Sequence, residues 1–484
     1  MKPTLPSRLA FFGIASLGIA SHAGAQTTWI GNTDTNINNA ANWTSGVPTG
    51  TVNSTFTSAG SAGSSLSLTA DLQFVGGTAP TSNAMLFDGA GFTITGNSAS
   101  RQLTIGGQGL AINTTNTIQI DVARIRRNAS NTFEFLGSSG NLVINGDYST
   151  NITGATDTLT RVDFSGVSGN NNTITFNGGI VNIFTGAAGA GLGGLTISSA
   201  GTGNKVVFNN ASNTGFTGAV TIGNNAQLHL GNGGTKGTLA GSASVSLGNT
   251  VSAFVINQSD TVTQGTEFAT SITGSGKVEQ AGSGTTVLNA GNSYSGGTFV
   301  TAGMLVANNT TGSATGTGTV NVSTGAAIGG AGIISGAVTI SGSLRPGNSI
   351  GTLTVGNDVT WNAGNAWVFE LGTASVNLAA ANIGGTRDLL DITGVGSDFI
   401  KGTGSGWTFD FANTGAVGWY KIVDWQGSTT FSPSDFSITH LASGLSGSFT
   451  VDSGTSALYL NVVPEPAAAL LGGLGLLSLL RRRR

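Results

Sequence analysis

Apolar and polar residues alternate in short runs along most of the chain. Gly91-Phe92-Thr93-Ile94-Thr95-Gly96, Asn141-Leu142-Val143-Ile144-Asn145-Gly146 and Gly218-Ala219-Val220-Thr221-Ile222-Gly223 share one form, a period-two run bounded by Gly or Asn. Asn172-Thr173-Ile174-Thr175-Phe176-Asn177-Gly178 repeats it. Alternation places every second side chain on one face of an extended chain. Gly and Asn supply the positive φ that tight turns need. No segment between Phe56 and Phe254 carries an apolar stripe of helical period. Strands this short bury no core singly, but stacked as rungs they enclose a continuous apolar column, with Thr and Asn outside or in ladders. The expected fold class is therefore all-β, a β-solenoid. At about 20–25 residues and about 4.8 Å per rung, the mature chain is expected to be a rod on the order of 90 Å long.

Both ends depart from this pattern. Residues 1–25 read as a secretory signal peptide. Lys2 and Arg8 give a positive start, Leu9 to Ala20 a short apolar run, and Ala23-Gly24-Ala25 a small-residue cleavage site before Gln26. The expected first partners are the secretory translocase and signal peptidase. At the other end, Pro464-Glu465-Pro466 precedes the apolar run Ala467 to Leu480 and the block Arg481, Arg482, Arg483 and Arg484. As a helix that run is about 21 Å long, short of the roughly 30 Å hydrocarbon core. The arginines can snorkel towards headgroups and favour the cytoplasmic side. A single transmembrane helix is expected here, with a cytoplasmic basic flank and the cargo outside.

Composition narrows the class. Charged residues are 8% of the chain and 79 of 484 residues are Gly, yet 38% are hydrophobic and the net charge is −3. Disorder generally needs low hydrophobicity and high net charge, so short strands and tight turns account for these numbers better. Without the two ends, 12 basic residues remain against 20 acidic ones. No basic patch marks a nucleic-acid partner, and Arg124, Arg126 and Arg127 read as one solvated strand and turn. The chain has no cysteine, which excludes disulfide staples, thiolate chemistry and cysteine-ligated metals.

Five segments are expected: a signal peptide at 1–25, an N-terminal solenoid at 26–215, a repeat region at 216–356, an aromatic-rich β module at 357–462 and the tail at 463–484. Trp29 and Trp43 in the Gly/Asn-rich opening are expected to cap the stack, with a carbohydrate-stacking platform as the alternative. The repeat is clearest between Gly274 and Gly356. Thr285-Thr286-Val287-Leu288-Asn289 is followed by Asn292-Ser293-Tyr294-Ser295-Gly296-Gly297-Thr298, Gly303-Met304-Leu305-Val306 and a close at Leu344-Arg345-Pro346-Gly347-Asn348-Ser349-Ile350-Gly351-Thr352-Leu353-Thr354-Val355. These runs resemble the autotransporter-associated β-strand repeat, departing from it at Asn289-Ala290. The resemblance implies a right-handed parallel β-helix. Beyond 357 the aromatics thicken, with Trp361, Trp367, Trp407, Trp419 and Trp425 in a module expected to cap the far end.

Candidate chemistry is sparse. His229 and His440 stand without Ser-His-Asp or metal-ligand spacing, and His229 is expected at a solvated strand position. Asp388 and Asp391 fit turn capping better than Ca²⁺ binding. Neither a catalytic residue nor a cofactor or metal site is expected. The strongest motif is the tail. Pro464-Glu465-Pro466, the apolar run and the terminal arginines resemble the PEP-CTERM sorting signal. That resemblance implies recognition by an exosortase-like membrane enzyme, cleavage near the motif and delivery to the cell surface or matrix of a Gram-negative, exopolysaccharide-making bacterium. The reading is a non-enzymatic surface or biofilm protein associated with exopolysaccharide. The alternatives are a carbohydrate-binding adhesin and a polysaccharide lyase or hydrolase. A self-translocating autotransporter would need an outer-membrane barrel, for which the roughly 100 residues after the repeat are too few by this reading.

Overall fold

The computed structural model describes residues 26–465, apart from 49–52, 58–64, 75–84, 107–108, 129–132, 138–139, 150–158, 165–170, 182–193, 211–217, 235–236, 240–243 and 384–385. Ala23, Ala25, Pro466 and Arg481 to Arg484 lie outside the described residues, as do the run 467–480, expected as a transmembrane helix, and residues 1–25, expected as an N-terminal signal helix. Among the described residues no helix is long and apolar enough to cross a membrane.

The alternating runs become strands of two to eight residues, nearly all of which pair parallel with the next turn of chain. Each turn visits three faces in the same order. The first face starts at Gln26–Trp29 and stacks ten strands to Ile272–Gly274; the second stacks fourteen, from Ser65–Leu68 to Phe399–Lys401. The third is broken into shorter sheets, the first running from Leu72–Phe74 to Ile180–Val181 and the next from Thr261–Thr263 to Ser343–Pro346. The chain is thus a nearly all-β parallel solenoid; its one described α-helix, Leu378–Ile383, has six residues. The parallel ladder passes residues 215/216 and 356/357 without a break.

Register carries the alternation into a core. On the second face Phe92, Ile118, Leu142, Ile174, Val206, Leu228, Phe254, Val278, Thr298, Val320, Val338, Val359 and Phe399 stand one above another. All of them are buried. Outside, Asn177 Nδ2 donates to Asn145 Oδ1 at 2.7 Å and Asn209 Nδ2 to Asn177 Oδ1 at 3.0 Å, each across 32 residues. Asn145 donates in turn to Asp121. This ladder joins successive rungs outside the main-chain bonds.

Rung length corrects the expected rod. Equivalent residues lie 32 apart at Asn145 and Asn177 but 19 apart at Asn289 and Asn308. Corner loops absorb the difference, so fewer rungs are built than a constant 20–25 residues gives. Fourteen strands on the longest face make a stack of roughly 65 Å.

The N-terminal end is closed as expected from its tryptophans. Trp29 and Trp43 are buried, with rings edge-to-face at 5.4 Å, and Trp29 lies over Phe56. Neither ring is a sugar platform. At the other end the aromatic residues close the column. Trp361 and Trp367 stack at 3.8 Å, and Phe399, Phe409 and Phe431 pack around them. An antiparallel hairpin of Leu445–Asp452 and Ala457–Pro464 then joins the sheet that succeeds the first face.

Candidate functional site

The repeat residues form an internal staple. Asn292 is buried between turns of chain; its Oδ1 accepts from Ile272 N–H at 2.9 Å and from Gln264 Nε2 at 2.8 Å. Its Nδ2 donates to the Ala314 carbonyl at 2.7 Å. Two residues on, the buried Tyr294 hydroxyl meets Thr298 Oγ1 at 2.6 Å, and Thr298 donates to the Thr315 carbonyl. Thr298 is the one polar member of the second-face column, and its hydroxyl is matched by Tyr294, whose neighbours Ser293 and Ser295 donate to the Ile272 and Gly274 carbonyls at the end of the first face. The motif therefore specifies how three turns lock together. Such buried polar networks hold a unique register when every member is satisfied.

The close of the repeat shapes a surface feature. Gly329 lies in register between Val306 and Arg345 on the third face. A Cβ there would stand 2.1 Å from the Arg345 carbonyl and 3.0 Å from Met304 Cε, so the strands close in around an empty position. Beside it opens a hollow of about 400 Å³ lined by Met304, Val306, Val368, Arg345, Glu370 and Asp388. Arg345 is exposed on its rim. Ser349 Oγ donates to Glu370 Oε2 at 3.3 Å. Asp388 is buried; its Oδ1 accepts from Gly351 N–H at 2.9 Å and its Oδ2 from Glu370 N–H at 2.7 Å. Burial pushes the Asp388 carboxyl up to about 7, against the two amide bonds, and the Glu370 charge adds to the rise.

The other candidates stay apart. Asp391 does not join Asp388; it stands in register with Asp424 on the neighbouring strand, and burial raises its pKa. Asp388 does not cap a local turn as expected: it ties together backbone amides at Gly351 and Glu370, 37 and 18 residues earlier in the chain. His229 departs from expectation. It is half-buried between Val207 and Val255 on the outer side of the second face and shares a 2.9 Å hydrogen bond with Gln227 Oε1. Burial, with Lys205 and Lys277 nearby, lowers its pKa to about 4. Close side-chain packing on a flat sheet shields a ring that alternation alone left in solvent. His440 has a partner the sequence did not suggest: its Nδ1 lies 2.9 Å from Asp410 Oδ2, 30 residues away. That distance is one turn of the stack, and no local spacing reveals it. Among the described residues no group of three or more His, Asp or Glu is placed to hold a metal.

At the tail, the last strand reaches two residues beyond 462. Pro464 pairs with Leu445, and Glu465 N–H donates to the Gly444 carbonyl at 2.9 Å. Proline is tolerated at a strand end where its missing N–H interrupts no ladder. Two of the three motif residues thus sit on the sheet. Gln26, the first residue after the expected signal-peptide cleavage, opens the first strand of the stack.

A long parallel solenoid with an internally stapled repeat is the class that this geometry defines. Comparison adds two similarities. Residues 278–307, inside the expected repeat region, match the Passenger-associated-transport-repeat. Over 170 residues, 34% of this chain, the sequence is 33% identical to the "Adhesin BmaC autotransporter" of Brucella suis biovar 1 (strain 1330). The matched stretch is 5% of that relative's length.

Proposed function

We propose that the chain is an exported, non-enzymatic surface protein whose solenoid acts as an adhesin-like display rod. The passenger-associated repeat at 278–307, built into an unbroken parallel ladder, carries this reading. The similarity to a stretch of an adhesin supports it. The outer faces offer long rows of Thr, Ser and Asn, and the hollow at Arg345, Glu370 and Asp388 adds an anchored polar recess. Hydroxyl-rich polymers such as exopolysaccharide fit such rows through many weak hydrogen bonds. Sorting is assigned to the tail: Pro464, Glu465 and Pro466 for recognition by an exosortase-like enzyme, with residues 467–484 as a transient inner-membrane hold before delivery to the surface.

Two measurements test this in an exopolysaccharide-producing Gram-negative host. Surface display of the full chain should raise cell adhesion to a matrix-coated support several-fold over a host lacking it; equal adhesion overturns the adhesin reading. Deleting residues 467–484, which spares every described strand, should move the protein from the cell surface to the periplasm or medium. An unchanged location overturns the sorting reading and leaves the adhesin reading intact.

A further inference from the structure

On the third face an outward row runs Val306, Gly329, Arg345, one residue per turn of chain. Gly329 has no side chain to fill its place between the other two. The hollow beside it, about 400 Å³, falls within the range of about 300–1,000 Å³ usual for small-molecule sites. Its walls are fixed. Asn348 Nδ2 donates to Asn308 Oδ1 at 2.6 Å, and the buried Asp388 ties the Gly351 and Glu370 amides. A site held in shape beforehand loses little to ordering when a ligand binds.

The charges that line this hollow are unmatched. Arg101, Arg124, Lys277, Lys401 and Lys421 each have a carboxylate within 3.9 Å. Arg345 has none among the described residues, although Glu370 and Asp388 line the same hollow. Glu370 accepts one side-chain hydrogen bond there, from Ser349 Oγ at 3.3 Å. A guanidinium and a carboxylate thus line one space without meeting across it. Met304, Val306 and Val368 add apolar surface to the same lining.

We infer that this hollow binds a sugar ring bearing a carboxylate, such as a uronate residue of an acidic polysaccharide. The inference deepens the display-rod reading and rests on it for a polymer as the ligand. Arg345 takes the ring carboxylate through its planar fork of N–H donors. Glu370 has acceptor capacity to spare for ring hydroxyls. The C–H face of the ring lies on Met304, Val306 and Val368. A neutral sugar would leave the guanidinium without a counter-charge. A free amino acid would bring a carboxylate and an apolar part but also an ammonium, for which the hollow is poorly equipped. Both Asp388 oxygens already accept from amides, and burial raises that carboxyl to about 7, so Glu370 alone would have to serve. The same state of Asp388 spares an incoming anion a second repelling charge.

Saturation-transfer NMR on the exported full-length chain tests it. The probes are the methyl glycosides of galacturonate and glucuronate and the methyl ester of each, which removes the charge and keeps the hydroxyls. One ring makes a small contact, so a Kd of about 1 mM is expected. At least one acid should bind about tenfold tighter than its ester. Arg345→Gln should abolish that preference and Arg345→Lys should keep part of it. Arg126→Gln, at an exposed position on an N-terminal rung, should leave it intact. Binding of neither acid by about 10 mM overturns the inference, as does equal binding of acid and ester or an equal loss in Arg126→Gln. Tighter binding of alanine than of either acid, lost in Arg345→Gln, overturns it too and assigns the hollow to an amino acid. Cells that adhere to the matrix-coated support through a chain that binds neither acid overturn this inference and leave the adhesin reading intact. Binding of an acid by a chain that adds no adhesion upholds it and overturns the adhesin reading.

Discussion

Asn292 holds adjacent turns of chain at once, and the consequence of removing it follows from what it leaves behind. In Asn292→Ala the Ile272 amide, the Gln264 side chain and the Ala314 carbonyl lose a buried partner. Leaving buried groups unpaired costs about 1–3 kcal/mol each. Hydrogen exchange should therefore accelerate at Ile272 by at least tenfold; an unchanged rate would show that water replaces the side chain. Asp388 and His229 make opposite pH statements. Burial holds the Asp388 carboxyl near 7 against an ordinary 3.8, so between about pH 4 and 7 the folded chain keeps a proton that the unfolded chain has lost. Stability contributed here falls as pH rises through that window. His229, lowered to about 4 from 6.5, stays neutral in the folded chain where the unfolded chain is charged. Its contribution falls as pH drops from about 6.5 to 4. Denaturant midpoints measured from pH 4 to 8 should lose their decline towards pH 7 in Asp388→Asn, and their acid-side decline in His229→Gln. Slopes that match wild type refute the assignments.

At the scale of strands and corners, close approach between turns decides what the sequence can be. Gly330 has φ of +105°, and a Cβ there would lie 2.0 Å from the Ala307 carbonyl. Gly330→Val must therefore push two strands apart, with an expected loss of more than about 3 kcal/mol in local opening free energy. Amide protection of Met304–Ala307 and Ser343–Pro346 reports it, and retained protection would contradict the geometry. The strands themselves were legible because alternation survives in each: Phe92, Ile94, Ile118 and Ile120 all point inwards as their spacing implies. Corner lengths were not legible. Loops carry no apolar period, so nothing local distinguishes a turn of 19 residues from one of 32. The candidate site was half legible for the same reason. The repeat close at Arg345 to Ser349 stood out as a motif, but Glu370 and Asp388 join it from later turns, and Asp410 finds His440 one turn away.

The whole molecule is close to one-dimensional, since each rung touches little beyond its two neighbours. Stability in such stacks is a sum of rung and interface contributions. Damage should stay local. The Gly330→Val substitution should leave exchange protection at Phe92, Ile118 and Leu142 within twofold of wild type, whereas a globally cooperative fold would lose it everywhere. Four of the core aromatics at the C-terminal end are tryptophans: Trp361, Trp367, Trp407 and Trp425. Tryptophan fluorescence therefore reports mainly this end, with Trp29 and Trp43 reporting the other, so spectral shifts during unfolding should separate the two ends.

The lid made by Trp29, Trp43 and Phe56 also bears on how such a protein changes over generations. Its three rings pack on one another over the first rungs, so a new turn of chain added outside would have to displace them. Growth must come from duplication inside the ladder, where the duplicated turn finds a copy of its own neighbour above and below. Turns of different length along one ladder, 32 residues on both sides of Asn177 but 19 between Asn289 and Asn308, are the form that such insertions leave once their corners drift in length.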